Sequence, residues 1–440
     1  MHQRCVGWAN ATFVHYRFGI AMVRVDEYDG TSTLGTAAVP LNFASLLLLT
    51  ALIATIVPPG YAAYVGAYIA MIVALIAFAI YGWKERTTFT HPAAVATLAA
   101  IALVTVSLPF VYKGPQDLLA PVFILPMLTT IALGLLARPG RWLPGPTFFA
   151  ALCLFAAALA LAGGAFERFV LGVYRPGLGN NPIHYATMAA MAGGLSLIGV
   201  ASGRTLWRYL FLLGPVFGIG ATVIAGSRGP MAGALAMALV GLVALTVWLW
   251  RERMFRWFLA AAVLIGTTTL VLLVGAGNQR GIRLADTALN IFRITGGTDD
   301  IRAALYISSL HAFASSPFYG HGFGQLMQTV QAMFPEQPEA FTLQNLHADW
   351  ANLSVMAGSL GLLAYFLLLA APLLLLVKPE ARRDKAIVLG ALLLTTGQFT
   401  LGISNAMFGV LPQTMLYAVS TGYLLLHARR LNQECDAASH

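Results

Sequence analysis

The chain predicts an all-α, polytopic membrane protein with about twelve transmembrane helices and one large helical loop between the ninth and tenth. Three observations carry this. Of 440 residues, 58% are hydrophobic and only 10% are charged, against about 25% charged in an ordinary soluble domain, and the mean hydropathy is +0.76. Apolar segments of the length needed to cross a bilayer, about 20 residues as helix, recur from residue 41 to residue 427. The basic residues fall in short clusters that alternate between connections.

The expected spans are 41–57, 61–83, 93–111, 118–137, 145–164, 182–202, 207–226, 230–250, 257–275, 348–377, 386–405 and 408–427. Their connections test the count. With a cytoplasmic amino terminus, the inner segments hold Arg4, Arg17, Arg24, Lys84, Arg86, Arg138, Arg141, Arg204, Arg208, Arg251, Arg253, Arg256, Lys378, Arg382, Arg383, Lys385, Arg429 and Arg430, which is 18 of the 26 lysines and arginines. Of the eight outer ones, four lie in one long loop. Because cytoplasmic loops carry the Lys/Arg excess, both termini are expected in the cytoplasm. An error of one helix early in the count would scramble this alternation.

The chain then divides into a cytoplasmic segment 1–40, a transmembrane domain 41–427 that includes an outer loop 276–346, and a cytoplasmic tail 428–440. Residues 1–40 lack a strong apolar core and a cleavage-like pattern, so no removable signal peptide is expected. The net charge of +9 is accounted for by topology rather than by nucleic acid, since no basic face runs through the chain. Cys5, Cys153 and Cys435 have no CxxC spacing and predict neither a disulfide framework nor a zinc site. No internal repeat is visible, which weakens a transporter reading.

The outer loop is too long for a simple connection. Residues 301–315 read as a helix: Asp299 and Asp300 suit its positive amino end, Ile301, Leu305, Leu310 and Phe313 supply apolar contacts, and Ser315-Ser316-Pro317 ends it. Gly320-His321-Gly322-Phe323-Gly324 follows without a preceding strand, so a nucleotide-binding fingerprint is a weak reading.

Outer-face arginines are few, and each needs a reason. Arg228, in Ser227-Arg228-Gly229-Pro230, sits in a tight turn between two apolar helices. It is either a snorkelling interfacial residue or an anion-binding group at the floor of an outer cavity. Arg302, at the start of the loop helix, either pairs with Asp299 or Asp300 or acts as a second phosphate clamp, since a guanidinium fork grips phosphate oxygens bidentately. Arg168 and Arg175, before the Asn180-Asn181-Pro182 start of a helix, are ordinary loop charges or further phosphate ligands.

His347 opens the tenth span in Asn345-Leu346-His347-Ala348-Asp349-Trp350. An interfacial histidine is more often structural, yet the amino end of a helix disfavours imidazolium, so this ring is expected to stay neutral and able to accept a proton. His184, one turn into a helix on the same face, serves packing or acceptor contact equally well. His311 and His321 form no His-x-x-x-His or carboxylate arrangement, and although Asp299-Asp300 could hold a divalent ion with phosphates, no acidic Asp-x-Asp motif occurs on the outer face. Metal-independent chemistry is favoured.

The order of these pieces resembles the bacterial O-antigen ligase family, whose wider group includes O-antigen polymerases and protein O-oligosaccharyltransferases. The resemblance runs through Asn181-Pro182-Ile183-His184-Tyr185-Ala186, Ser227-Arg228-Gly229, Arg302 to Ser316-Pro317-Phe318-Tyr319-Gly320-His321-Gly322, and Leu346-His347 leading into Gly358-Ser359-Leu360-Gly361. It implies a GT-C-like glycosyltransferase in the bacterial inner membrane. The implied reaction moves O-antigen polysaccharide from undecaprenyl diphosphate to a lipid A-core sugar on the periplasmic face.

Carried over, Arg228 and Arg302 match the family's essential arginines and His347 its essential histidine. Arg168, Arg175, Asn181, His184, His321 and Trp350 are expected around the substrates. The mechanism expected from these residues is inverting, with His347 as base, and needs no cofactor. The partners implied are the carrier-linked donor, the lipid A-core acceptor and membrane lipids. A polymerase would use a second carrier-linked glycan as acceptor, and a protein glycosyltransferase a pilin-like protein. A secondary transporter or flippase would share the helix count but place its ionisable residues mid-span.

Overall fold

The computed structural model describes residues 42–137, 142–203, 205–252, 255–260, 262–263, 266–267, 298–333 and 345–439, and no strand occurs among them. Thirteen helical elements organise the described chain: α1 (Phe43–Ile56), α2 (Ala62–Tyr81), α3 (Pro92–Val111), α4 (Pro115–Gly134), α5 (Pro146–Phe169), α6 (Pro182–Ser202), α7 (Leu206–Ile224), α8 (Arg228–Leu249), α9 (Thr298–Ser315), α10 (Leu326–Met333), α11 (Asp349–Val377), α12 (Lys385–Ser404) and α13 (Leu411–Ser439). Among the described residues nine of these, α2 to α8 with α11 and α12, are long and apolar enough to cross a membrane. The expected span 257–275 lies largely outside the described residues.

Local chemistry starts these helices where the sequence changes character. Asn42, Asn181 and Asp384 each accept a backbone N–H of the first turn, and Pro92, Pro146 and Pro182 occupy first-turn positions where a missing N–H costs nothing. Pro121 and Pro126 interrupt α4, which is a succession of short 3₁₀ and α segments. The last helix runs beyond the expected boundary at 427 to Ser439, with an Arg430–Glu434 pair at 2.7 Å one turn apart on its extension.

Small residues bring the central helices close. Almost all of α6 is buried. A Cβ on Gly193 would lie 2.5 Å from the Gly214 carbonyl oxygen of α7, so these two backbones touch. Large apolar side chains such as Leu75, Leu239 and Val247 point outward, as expected of a lipid-facing rim.

The two ends of the bundle differ. At one end, where α2, α8 and α13 finish and α12 begins, Arg208 pairs with Glu252 at 2.7 Å, Lys385 lies 3.7 Å from the same carboxylate, and Arg429 reaches Glu85 at 3.2 Å and the Gly134 carbonyl at 2.6 Å. These cations belong to the connections that the alternation of charge assigns to the inner side. The helices α6, α8 and α11 begin at the opposite end, where α12 finishes.

Candidate active site

The amino ends of α6, α8 and α11, the carboxyl end of α12, and helix α9 are tied together at that opposite end. Ser227, before α8, donates its hydroxyl to the Pro182 carbonyl at 3.5 Å. A Cβ on Gly229 would collide with Ser404, so only glycine lets α8 and α12 meet there. The Tyr306 hydroxyl of α9 donates to the Ile403 carbonyl of α12 at 2.7 Å, and the Tyr306 ring lies 5.9 Å from that of Trp350 on α11.

Arg228 is the first residue of α8, following a turn through Gly226 at φ +64°, and is half-buried. Arg302 lies one turn before Tyr306 on α9, and its charge acts on both Tyr306 and His347. The helix expected over 301–315 is present as Thr298–Ser315, while the side chains of Asp299 and Asp300 lie outside those described.

His347 lies two residues before α11 rather than in its first turn, at φ +52°. A left-handed conformation at a non-glycine residue costs on the order of 1–3 kcal/mol and persists only where the surroundings over-determine it. They do so here. The His347 N–H donates to Asn345 Oδ1 at 2.9 Å and the Leu346 N–H to Asn352 Oδ1 at 2.9 Å. Asp349, fully buried, accepts the Met407 N–H at 2.8 Å, the Phe408 N–H at 2.9 Å and Gln398 Nε2 at 3.1 Å, fastening the start of α11 to the α12–α13 turn.

Burial, then the charge of Arg302, then His184 push the His347 pKa down to about 4. The ring is therefore neutral at pH 7, as the sequence predicts. The leading cause is desolvation rather than a helix dipole. Its Nδ1 is enclosed and has no hydrogen-bond partner among the described residues.

Of the other candidates, Arg175 reaches the turn that carries Arg228, donating to the Ala225 carbonyl at 3.3 Å and to Ser227 Oγ at 3.5 Å. His184 sits close enough to act electrostatically on His347. Asn181 caps α6 through the Ile183 N–H at 2.9 Å. Arg168 is engaged locally, donating to the Tyr174 carbonyl at 2.9 Å and lying over the Tyr174 ring.

His321 is also engaged locally. Its Nε2 lies 2.8 Å from the Ala312 carbonyl and 3.1 Å from Ser315 Oγ, at the end of α9. The glycine-rich segment around it braces a broken helix. At Ala357 and Gly358 α11 is interrupted, and the freed Val355 and Met356 carbonyls accept the His321 and Gly322 N–H groups at 2.8 and 3.0 Å. This accounts for Gly320 and Gly358, both at positive φ, where a Cβ on either would press into the other's strand of backbone.

An apolar groove of about 440 Å³ descends from this site between α9, α11 and α12, lined by Tyr306, Trp350, Leu362, Tyr365, Phe366 and Phe399. Its lining residue Tyr306 is one helical turn along α9 from Arg302.

The fold and this site define a polytopic membrane protein whose candidate site residues lie at the end of the bundle opposite the Arg208, Lys385 and Arg429 cluster. Residues 213–366 match the O-antigen ligase family, a stretch that holds Arg228, Arg302 and His347 together. The matched stretch is about a third of the chain, and over it the chain is similar to the O-antigen ligase and polymerase superfamily that its motifs resemble. No curated protein matches the chain.

The residues that sequence reasoning missed are the supports. Asp349 is a lone carboxylate at the edge of a long apolar run, and Asn345 and Asn352 flank the histidine by two and five residues. Such polar groups at the start of a spanning helix are the signal that could have found them.

Proposed function

We propose that the chain transfers O-antigen polysaccharide from undecaprenyl diphosphate to a sugar hydroxyl of lipid A-core, on the periplasmic face of the bacterial inner membrane. The observation that carries this reading is the meeting of Arg302, His184 and His347 at the end of the bundle where Arg228 begins α8, beside an apolar groove. The polyprenyl tail lies in the groove, and Arg228 and Arg302 hold the diphosphate bidentately. The basic end of the bundle faces the cytoplasm.

His347 accepts the proton of the acceptor hydroxyl. The oxygen attacks the anomeric carbon from the side opposite the diphosphate, the anomeric C–O bond breaks with inversion, and its electron pair leaves with the diphosphate. The arginines stabilise the charge that grows there. A ring with a pKa of about 4 is a weak base before the donor binds. The bound diphosphate offsets the charge of Arg302 and raises the ring's proton affinity toward working pH, so the donor itself activates the base. The energy comes from the lipid diphosphate, and no nucleotide enters.

Reconstitution tests this reading. Purified chain, carrier-linked glycan and lipid A-core, without nucleotide, give a ladder of ligated lipopolysaccharide. Glycan movement across the bilayer without covalent transfer would instead identify a flippase, and a product made only from two carrier-linked glycans a polymerase.

A further inference from the structure

A second cavity, of about 560 Å³, lies across the start of α11 from the apolar groove, between the α3–α4 corner, the segment around the start of α10, and the α12–α13 turn. Its size is that of small-molecule sites, which run to roughly 300–1,000 Å³. Its chemistry is unlike that of the arginine site. Among the described residues no charged side chain lines it; four primary amides do, Gln116, Gln328, Asn345 and Asn352, together with the rings of Phe123 and Phe323.

The described lining offers no cation to a phosphate or carboxylate ligand, whose charge it would leave unpaired. Primary amides offer a donor and an acceptor side by side, the pattern that neighbouring sugar hydroxyls complement, and aromatic rings cover the apolar C–H face of a pyranose. Asn352 is 2% exposed, and its Nδ2 has no partner among the described residues while its Oδ1 holds the Leu346 N–H. Asn345 in turn holds the His347 N–H. Two of the four amides are therefore attached to the backbone that sets the base.

The rim is fixed as well. Asp117, almost fully buried, accepts the Gly324 N–H at 2.8 Å and the Lys113 N–H at 2.8 Å, so the α3–α4 corner and the glycine-rich segment move as one piece. Trp350 lines the groove, and Asn352 and Met356 line the amide cavity. The start of α11 is thus a partition, with lipid chemistry on one side and uncharged polar chemistry on the other.

We infer that this cavity binds a neutral pyranose unit of the acceptor glycan, presenting its hydroxyl to His347. The inference rests on the transferase reading: in an inverting displacement the nucleophile arrives from the side away from the diphosphate, and the amide cavity lies across α11 from the groove proposed for the carrier. The donor's own glycan shares the same chemistry and is the competing source.

The test has two arms, both on the full chain. Gln116 and Gln328 are exposed on the rim, so Gln116→Ala and Gln328→Ala leave the core intact. In the first arm, saturation-transfer NMR with a dephosphorylated, neutral core oligosaccharide reads binding whether or not transfer occurs. Contact signals from wild type that weaken in the double variant support the site, and their absence from wild type, or persistence in the variant, overturns it.

In the second arm, ligation kinetics give an acceptor KM raised roughly 3- to 10-fold per variant, the cost of one neutral hydrogen bond, with the donor KM unchanged. A rise in the donor KM alone would overturn the acceptor assignment. Wild type that binds the oligosaccharide yet transfers nothing would overturn the transferase reading and leave the sugar site standing.

Discussion

The positive charge of Arg302 acts directly on the imidazole of His347, and with burial it holds the ring neutral down to about pH 4. The sign of the pH dependence follows. A folded pKa below the ordinary value of about 6.5 means that the ring is deprotonated throughout the range from 5 to 8, so kcat/KM, which reports the free enzyme, falls only as pH drops toward 4. In the donor complex the diphosphate opposes Arg302, so the inflection in kcat lies higher than that in kcat/KM. Arg302→Gln moves the free-enzyme inflection upward. Steady-state rates between pH 4 and 8 check all three; an inflection near 6.5 in wild-type kcat/KM would contradict the environment described for His347.

Replacing His347 by Ala removes the proton acceptor. General-base assistance is worth about 10² to 10⁴ in rate, and the product ladder from the variant is expected to fall by that factor while the protein inserts and purifies as wild type does. Ligation at the wild-type rate would remove the base assignment.

Arg228→Lys and Arg302→Lys keep the charge and lose the fork. Where a positioned donor stabilises developing charge, its removal costs about 10² to 10³ in kcat, and each variant is expected to lose activity toward that range. Full activity in both lysine variants would show that no bidentate grip on the diphosphate is made.

Asp349 offers a contrast between two substitutions. Asp349→Ala leaves the Met407 and Phe408 N–H groups without their acceptor inside the protein, at about 1–3 kcal/mol for each buried group. Asp349→Asn keeps an oxygen for them, and a turn of the Gln398 amide, whose Oε1 has no partner among the described residues, accommodates the new NH₂. Thermal unfolding in detergent is expected to show a large drop for Ala and a small one for Asn. Equal drops would mean that the charge rather than the hydrogen bonding fastens α11.

Gly358 is held at φ +62° and ψ −143°, a region essentially reserved for glycine, and a Cβ there would lie 2.5 Å from the Phe318 carbonyl carbon. Gly358→Ala is expected to break the contact between α11 and the segment 317–322, reading out as a lower Tm and faster proteolysis after Ser316. An unchanged Tm would mean that the break in α11 is not what holds α9 over the site.

Much of this was legible in the sequence because a bilayer leaves a chain few choices. Uninterrupted apolar length marks α2, α3 and α5 to α8, and the gathering of Arg208, Lys385 and Arg429 at one end follows the charge alternation. Arg228 and His347 stood out as ionisable residues bounding apolar runs. What sequence alone did not show were relations between segments far apart in the chain. The broken α11 that receives Gly322, the pinning of Asp349 by residues 407 and 408, and the use of His321 and Arg168 as local fasteners all depend on which carbonyls are left free after the helices pack. Asn345 and Asn352 had no role in the sequence reading, and the fold places them with Gln116 in the lining of one cavity.

The division of labour between the arginines and the histidine is tested most directly by measuring undecaprenyl diphosphate binding and single-turnover transfer on the same preparations. His347→Ala should bind the carrier as tightly as wild type and fail to transfer, while Arg228→Lys and Arg302→Lys should lose carrier affinity along with transfer. A histidine variant that loses carrier binding as the arginine variants do, or arginine variants that bind the carrier undiminished, would contradict the account.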